Sequence, residues 1–118
     1  EKAMTVARAF EYQGRPYDFN FDFFSDATLV CTELVYKSYA PGEGMKGLKI
    51  GLVDVAGRMT LPANELVKLF DLEYDRPDRQ LDFIGFLDGR ESAGGAVLGS
   101  LEGFRSSYRR AKWDVAQE

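Results

Sequence analysis

Histidine is absent from all 118 residues, and cysteine occurs once, as Cys31. Without histidine the chain lacks the side chain that most often serves as a general base near neutral pH. With one cysteine it can form neither an internal disulfide nor the usual zinc set. No run of about 18 apolar residues occurs, so no membrane-spanning helix is expected. No basic-then-apolar leader precedes the first helical pattern. Neither Gly42-x-Gly44 nor Gly94-Gly95 follows the strand-then-helix spacing of a phosphate loop, and no cofactor is expected. Charge of one sign is scarce too: 15 basic against 19 acidic residues give −4. That field offers no counterion-release binding, so nucleic acid is not an expected partner.

What remains is a folding composition. Apolar residues make up 45% and aromatics 14%, which suits a chain that buries a core. Residues 1–118 are expected to form a single domain. An opening Glu1-Lys2-Ala3 without methionine suggests a piece cut from something longer.

The pattern along the chain predicts a mixed α+β order. Ala3, Val6, Ala7 and Phe10 recur at helical spacing within Glu1 to Gln13, with Gly14 as C-cap and Pro16 beyond it. Tyr17, Phe19, Phe21 and Phe23 alternate with Asp18, Asn20 and Asp22, predicting an extended segment to Phe24. Ser25 and Asp26 are cap residues for a helix from about Ala27 or Cys31 to Tyr39, closed by Pro41, Gly42 and Gly44. Met45 to Met59 reads as a short strand or an irregular glycine-containing loop. Thr60-Leu61-Pro62 starts a helix with Leu66, Val67, Leu69 and Phe70 inward. Leu81 to Leu87 has strand character, stopped by an Asp88-Gly89 turn. A last helix is expected from about Ala96 to Gln117, with Val97, Leu98, Leu101, Phe104, Tyr108, Ala111 and Val115 on one side.

Few residues carry candidate chemistry. Cys31 falls where an extended segment turns into a helix, and free amides there stabilise a thiolate or a developing oxyanion. The competing reading is a small buried packing residue, which position alone favours. Asp18, Asp22 and Asp26 would share a helical face as metal ligands. In an extended segment, however, Asp18 and Asp22 lie about 13 Å apart, too far for one ion, and no metal is expected. Arg105, Arg109, Arg110 and Lys112 read as a solvated basic face near a helix C-terminus.

Two strings shift the balance at Cys31. Gln13-Gly14-Arg15-Pro16-Tyr17-Asp18-Phe19-Asn20-Phe21 and Cys31-Thr32-Glu33-Leu34-Val35-Tyr36-Lys37-Ser38-Tyr39 together resemble the permuted papain-like cysteine hydrolases of the NlpC-related superfamily, the YiiX/YebB-like group. Thr60-Leu61-Pro62-Ala63-Asn64-Glu65-Leu66 is similar to a helix found downstream in that group, so the likeness covers about Phe10 to Phe70. The resemblance implies a papain-like α+β domain, present here as its C-terminal portion, with the cysteine helix on a small antiparallel sheet. It implies Cys31 as nucleophile, with its own amide in the oxyanion site. Tyr17 would lie near the thiol, and Asp18 and Glu33 would be structural. The family's histidine and its orienting partner have no counterpart here. That departure leaves truncation, a partner chain or inactivity, and truncation best explains intact motif strings. The implied substrates carry amide or ester bonds, as in cell-wall peptides and acylated lipids. Exposed strand edges are expected to pair with a second chain or the missing segment. The alternative is a non-catalytic binding or scaffold domain, with the aromatic run Tyr17 to Phe24 lining a groove.

Overall fold

The computed structural model describes residues 1–90 and 94–110. The expected α+β class is observed: four helices and two antiparallel two-stranded sheets among the described residues. The chain divides into two compact units, Glu1–Ala63 and Asn64–Glu118. Among the described residues no helix is long and apolar enough to cross a membrane.

The first unit begins with α1, Lys2–Glu11, which ends where Tyr12 takes an αR cap conformation. Gly14 then reverses the chain at φ +83°, a region glycine enters without penalty. The inward face of α1 differs from the expected apolar stripe. Thr5 is buried, whereas Val6 and Phe10 are 53% and 67% exposed. A polar requirement explains the choice. α1 packs against α2, Cys31–Tyr39, and the Arg8 guanidinium donates to the carbonyl of Ala40 at the end of α2. A terminal helix carbonyl needs a donor, and satisfying it turns the Thr5–Arg8 side inward.

The stretch Tyr17 to Phe24 is not extended, contrary to its alternation. Only Tyr17 makes a ladder contact, an isolated parallel bridge to Leu29. The Leu29 N–H donates to the Pro16 carbonyl and the Asp18 N–H to the Leu29 carbonyl, both at 3.0 Å. Beyond it the Asp18 carboxylate accepts the N–H groups of Asn20 at 2.8 Å and Asp22 at 2.6 Å, folding the backbone around itself. Phe21 consequently sits at φ +54°, where bulky residues are rare. An aspartate competing for backbone donors outweighed aromatic strand preference.

Neither Ser25 nor Asp26 caps α2. The N-cap is Val30, whose N–H donates to Glu33 Oε2 at 3.2 Å. This is the returning half of a capping box, since valine offers no acceptor. After α2 the chain returns, and the Leu48 N–H donates to the Tyr39 carbonyl at 2.7 Å. A hairpin follows, pairing β1, Val53–Val55, with β2, Arg58–Thr60. Ala56 and Gly57 form its turn, both at positive φ, and the Gly57 N–H donates to Asp54 Oδ1 at 2.8 Å. Phe23, Leu29, Val30, Met45 and Leu61 are the buried apolar residues of this unit. The expected seat of the cysteine helix on a sheet is not observed: its main packing partner is α1.

α3, Ala63–Glu73, follows directly on Pro62 as expected. In the second unit Phe70 is buried against an aromatic cluster. The Phe104 ring lies 5.3, 5.5 and 5.4 Å from those of Phe70, Phe83 and Phe86. Three expectations fail here. Leu81 to Phe86, expected to form a strand ending at Leu87, are neither strand nor helix. Asp88 and Gly89 do not turn the chain but lie inside β3, Leu87–Arg90, which pairs with β4, Gly95–Leu98. Val97 and Leu98 are therefore strand residues. The final helix starts only at α4, Leu101–Ser107, where Ser100 Oγ accepts the Gly103 N–H at 2.9 Å. That serine was a readable cap. The expected helical positions Ala111, Lys112 and Val115 lie outside the described residues.

Candidate functional site

Cys31 is the first residue of α2 and is exposed. Its placement depends on the layer beneath. Glu33, two residues on, has no exposed surface. One of its oxygens holds the Val30 N–H and the other lies 2.7 Å from Lys37 Nζ, one helical turn away. Lys37 also binds the Asp26 carboxylate and, at 3.2 Å, the Ser25 carbonyl. Burial opposes charge on Lys37, but Asp26 and Glu33 outweigh it and hold the ammonium pKa above its ordinary range. The hydrogen bond from Lys37 holds Asp26 below the usual aspartate range.

Asp18 is a second buried anchor. Burial alone would raise its pKa, but the amides of Asp22, Asn20 and Phe21 and the Thr28 side chain outweigh that and bring it below the usual aspartate range. A carboxylate depressed by native contacts contributes stability above its unfolded-state pKa. That stability disappears as pH falls through the lower folded value. The melting temperature is therefore expected to drop between about pH 5 and pH 2. Asp18→Asn should melt lower than the parent at neutral pH, and the gap should close in acid. A gap constant over that range in thermal melts would contradict the role given to this carboxylate.

Tyr17, expected near the thiol, is brought alongside the Cys31 segment through its backbone bridge to Leu29. Its ring is half-exposed and packs edge-on against Phe19 at 5.0 Å and Phe21 at 6.3 Å. A cleft of about 550 Å³ opens between this loop and the hairpin turn, lined by residues including Phe21, Asp22, Phe24, Thr28, Arg58 and Met59. Cys31 and Tyr17 are not among its lining residues. Among the described residues no group of three or more cysteines or carboxylates is placed to hold a metal ion.

The basic patch of the second unit is not a free solvated face. Arg105 Nε lies 2.7 Å from Asp71 Oδ1 and Arg109 Nη2 lies 3.8 Å from Asp71 Oδ2. Arg110 makes a forked pair with Asp88 at 2.9 and 3.3 Å. Lys112 is outside the described residues.

Sequence reasoning missed Lys37 and Asp26 as parts of the site. The Glu33-to-Lys37 spacing, acid before lysine by four, was the available signal. Chemically, the site holds an accessible thiol at a helix start, without any imidazole in the chain to take its proton. No protein-family model matches this sequence, and neither a curated protein nor a solved structure is significantly similar to it.

Proposed function

We propose that this chain carries the nucleophile of a papain-like cysteine hydrolase acting on amide or ester bonds, with the histidine base supplied from outside these residues. The observation behind this reading is the exposure of Cys31 at the first position of α2, over the buried Glu33 and its part-buried partner Lys37. The external histidine removes the thiol proton, and Cys31 Sγ attacks the carbonyl carbon. Amides of the first turn of α2 receive the negative charge on the carbonyl oxygen. The C–N or C–O bond then breaks, and the leaving group takes the proton from the histidine. Water hydrolyses the resulting thioester. Tyr17 is assigned a supporting position near the thiol.

Iodoacetamide labelling tests the reading. The chain alone should react at the rate of a free thiol, and Cys31→Ser should remove the label. Joined to a segment bearing the histidine, Cys31 should react at least about tenfold faster, because more of it is thiolate. An unchanged rate would reject the nucleophile. A second reading, a ligand-binding domain on the same scaffold, is supported by Phe19 and Phe24, which are 83% and 81% exposed. Side chains so apolar and uncovered are common where a partner or ligand docks.

A further inference from the structure

The cleft beside the Asp18 loop has an arrangement of charges that neither the thiol chemistry nor the packing uses. Asp22 and Arg58 both line it, and among the described residues no ion pair joins them. Asp22 Oδ1 accepts the Phe24 N–H at 3.0 Å, and among the described residues no hydrogen bond engages Oδ2. Arg58 donates through Nη1 to the Asn20 carbonyl, and among the described residues the rest of its guanidinium has no partner. Phe21, Phe24 and Met59 supply apolar surface in the same cleft, and all three are at least 38% exposed. A volume of about 550 Å³ falls within the range of small-molecule sites.

Two opposite charges facing one cavity without meeting each other suit a ligand that carries both. Asp18 lines the cleft as well, but its carboxylate is buried and taken up by the N–H groups of Asn20 and Asp22, so the exposed charges there are Asp22 and Arg58. We infer that this cleft binds a small zwitterion with an apolar side chain, either a free amino acid or a short peptide, with its ammonium on Asp22, its carboxylate on Arg58 and its side chain against Phe21, Phe24 and Met59. The inference rests on the ligand-binding reading and names its site and ligand class. It does not require Cys31 to react.

NMR titration of the Cys31→Ser chain with leucyl-phenylalanine tests it, with free leucine as a second arm to separate a peptide from an amino acid. Saturable shifts are expected at the amides of Phe21, Asp22, Gly57 and Arg58. Acetylating the peptide's amine or amidating its carboxylate should each weaken binding about tenfold or more, since a charged hydrogen bond is lost. Asp22→Asn and Arg58→Gln should do the same while leaving the melting temperature unchanged, because both side chains are exposed. If the doubly capped peptide binds as tightly as the free one, the zwitterion is wrong although a ligand-binding domain stands. If neither the free nor the capped ligands bind, both readings fall.

Discussion

Replacing Lys37 by methionine is expected to cost up to about 3–5 kcal/mol of folding stability, the range for removing one partner of a fully buried ion pair. That is an upper bound, since Glu33 is fully buried while 13% of the lysine side chain stays exposed. Methionine keeps most of the aliphatic stem, so the loss reports charge and not packing. The main contribution comes from Glu33, which is fully buried and would face an apolar side chain in place of an ammonium 2.7 Å away. Asp26 contributes little, because its side chain is 66% exposed and water can replace the lysine. Urea titration measures the effect. Adding Glu33→Gln to Lys37→Met should recover part of it, since glutamine is neutral and still accepts the Val30 N–H. A loss under about 1 kcal/mol would show that water reaches Glu33.

The pH dependence of this pair has a definite sign. The folded pKa of Lys37 is raised, so its contribution is complete below the unfolded lysine value and disappears only as pH rises through the higher folded one. The pair should therefore be insensitive to pH near neutrality and fail in alkali, the reverse of Asp18. Because Glu33 also fixes the Val30 N–H, the Lys37 variant should loosen the turn that presents Cys31.

Gly47→Ala is the second large expected effect. Gly47 has φ +63°, and a Cβ there would lie 2.4 Å from the Tyr39 carbonyl oxygen, 2.6 Å from Pro41 N and 2.8 Å from Ala40 C. All three are backbone atoms at the end of α2, so no side-chain rotation relieves the overlap. Left-handed backbone costs a non-glycine residue about 1–2 kcal/mol before any clash. The total is expected to exceed about 2 kcal/mol, or on the order of 10 °C in melting temperature. Gly44→Ala is the control. Its φ is +71°, but the nearest atom is Met4 Cε at 3.8 Å, so only the conformational cost of about 1 kcal/mol applies. Equal losses in the two variants would show that the Gly47 loop moves away from α2.

The legible and illegible parts of the molecule separate by the range of the interactions behind them. The end of α1, the end of α2 at Tyr39 and the start of α3 after Pro62 are set by caps, glycines and prolines within a few residues. The β1–β2 hairpin was less readable because Ala56-Gly57 is not a familiar pair for its turn. At the site, Cys31 and its place at a helix start could be read from local order. The resemblance implied a structural role for Asp18 and Glu33, and their burial became visible only in the fold.

The amino-acid order alone establishes that the chain lacks an imidazole, a second thiol and an apolar run of membrane length, and that a helix starts at about Ala27 or Cys31. Composition and neighbouring residues suffice for those facts. The face of α1 that turns inward is set in the folded chain, because the Ala40 carbonyl that recruits Arg8 is 32 residues away. Folding likewise neutralises the arginines of α4 and its following turn through Asp71 and Asp88, 34 and 22 residues from Arg105 and Arg110. A charge is paired or free according to where a distant partner is carried. Only the path of the chain in space supplies that information.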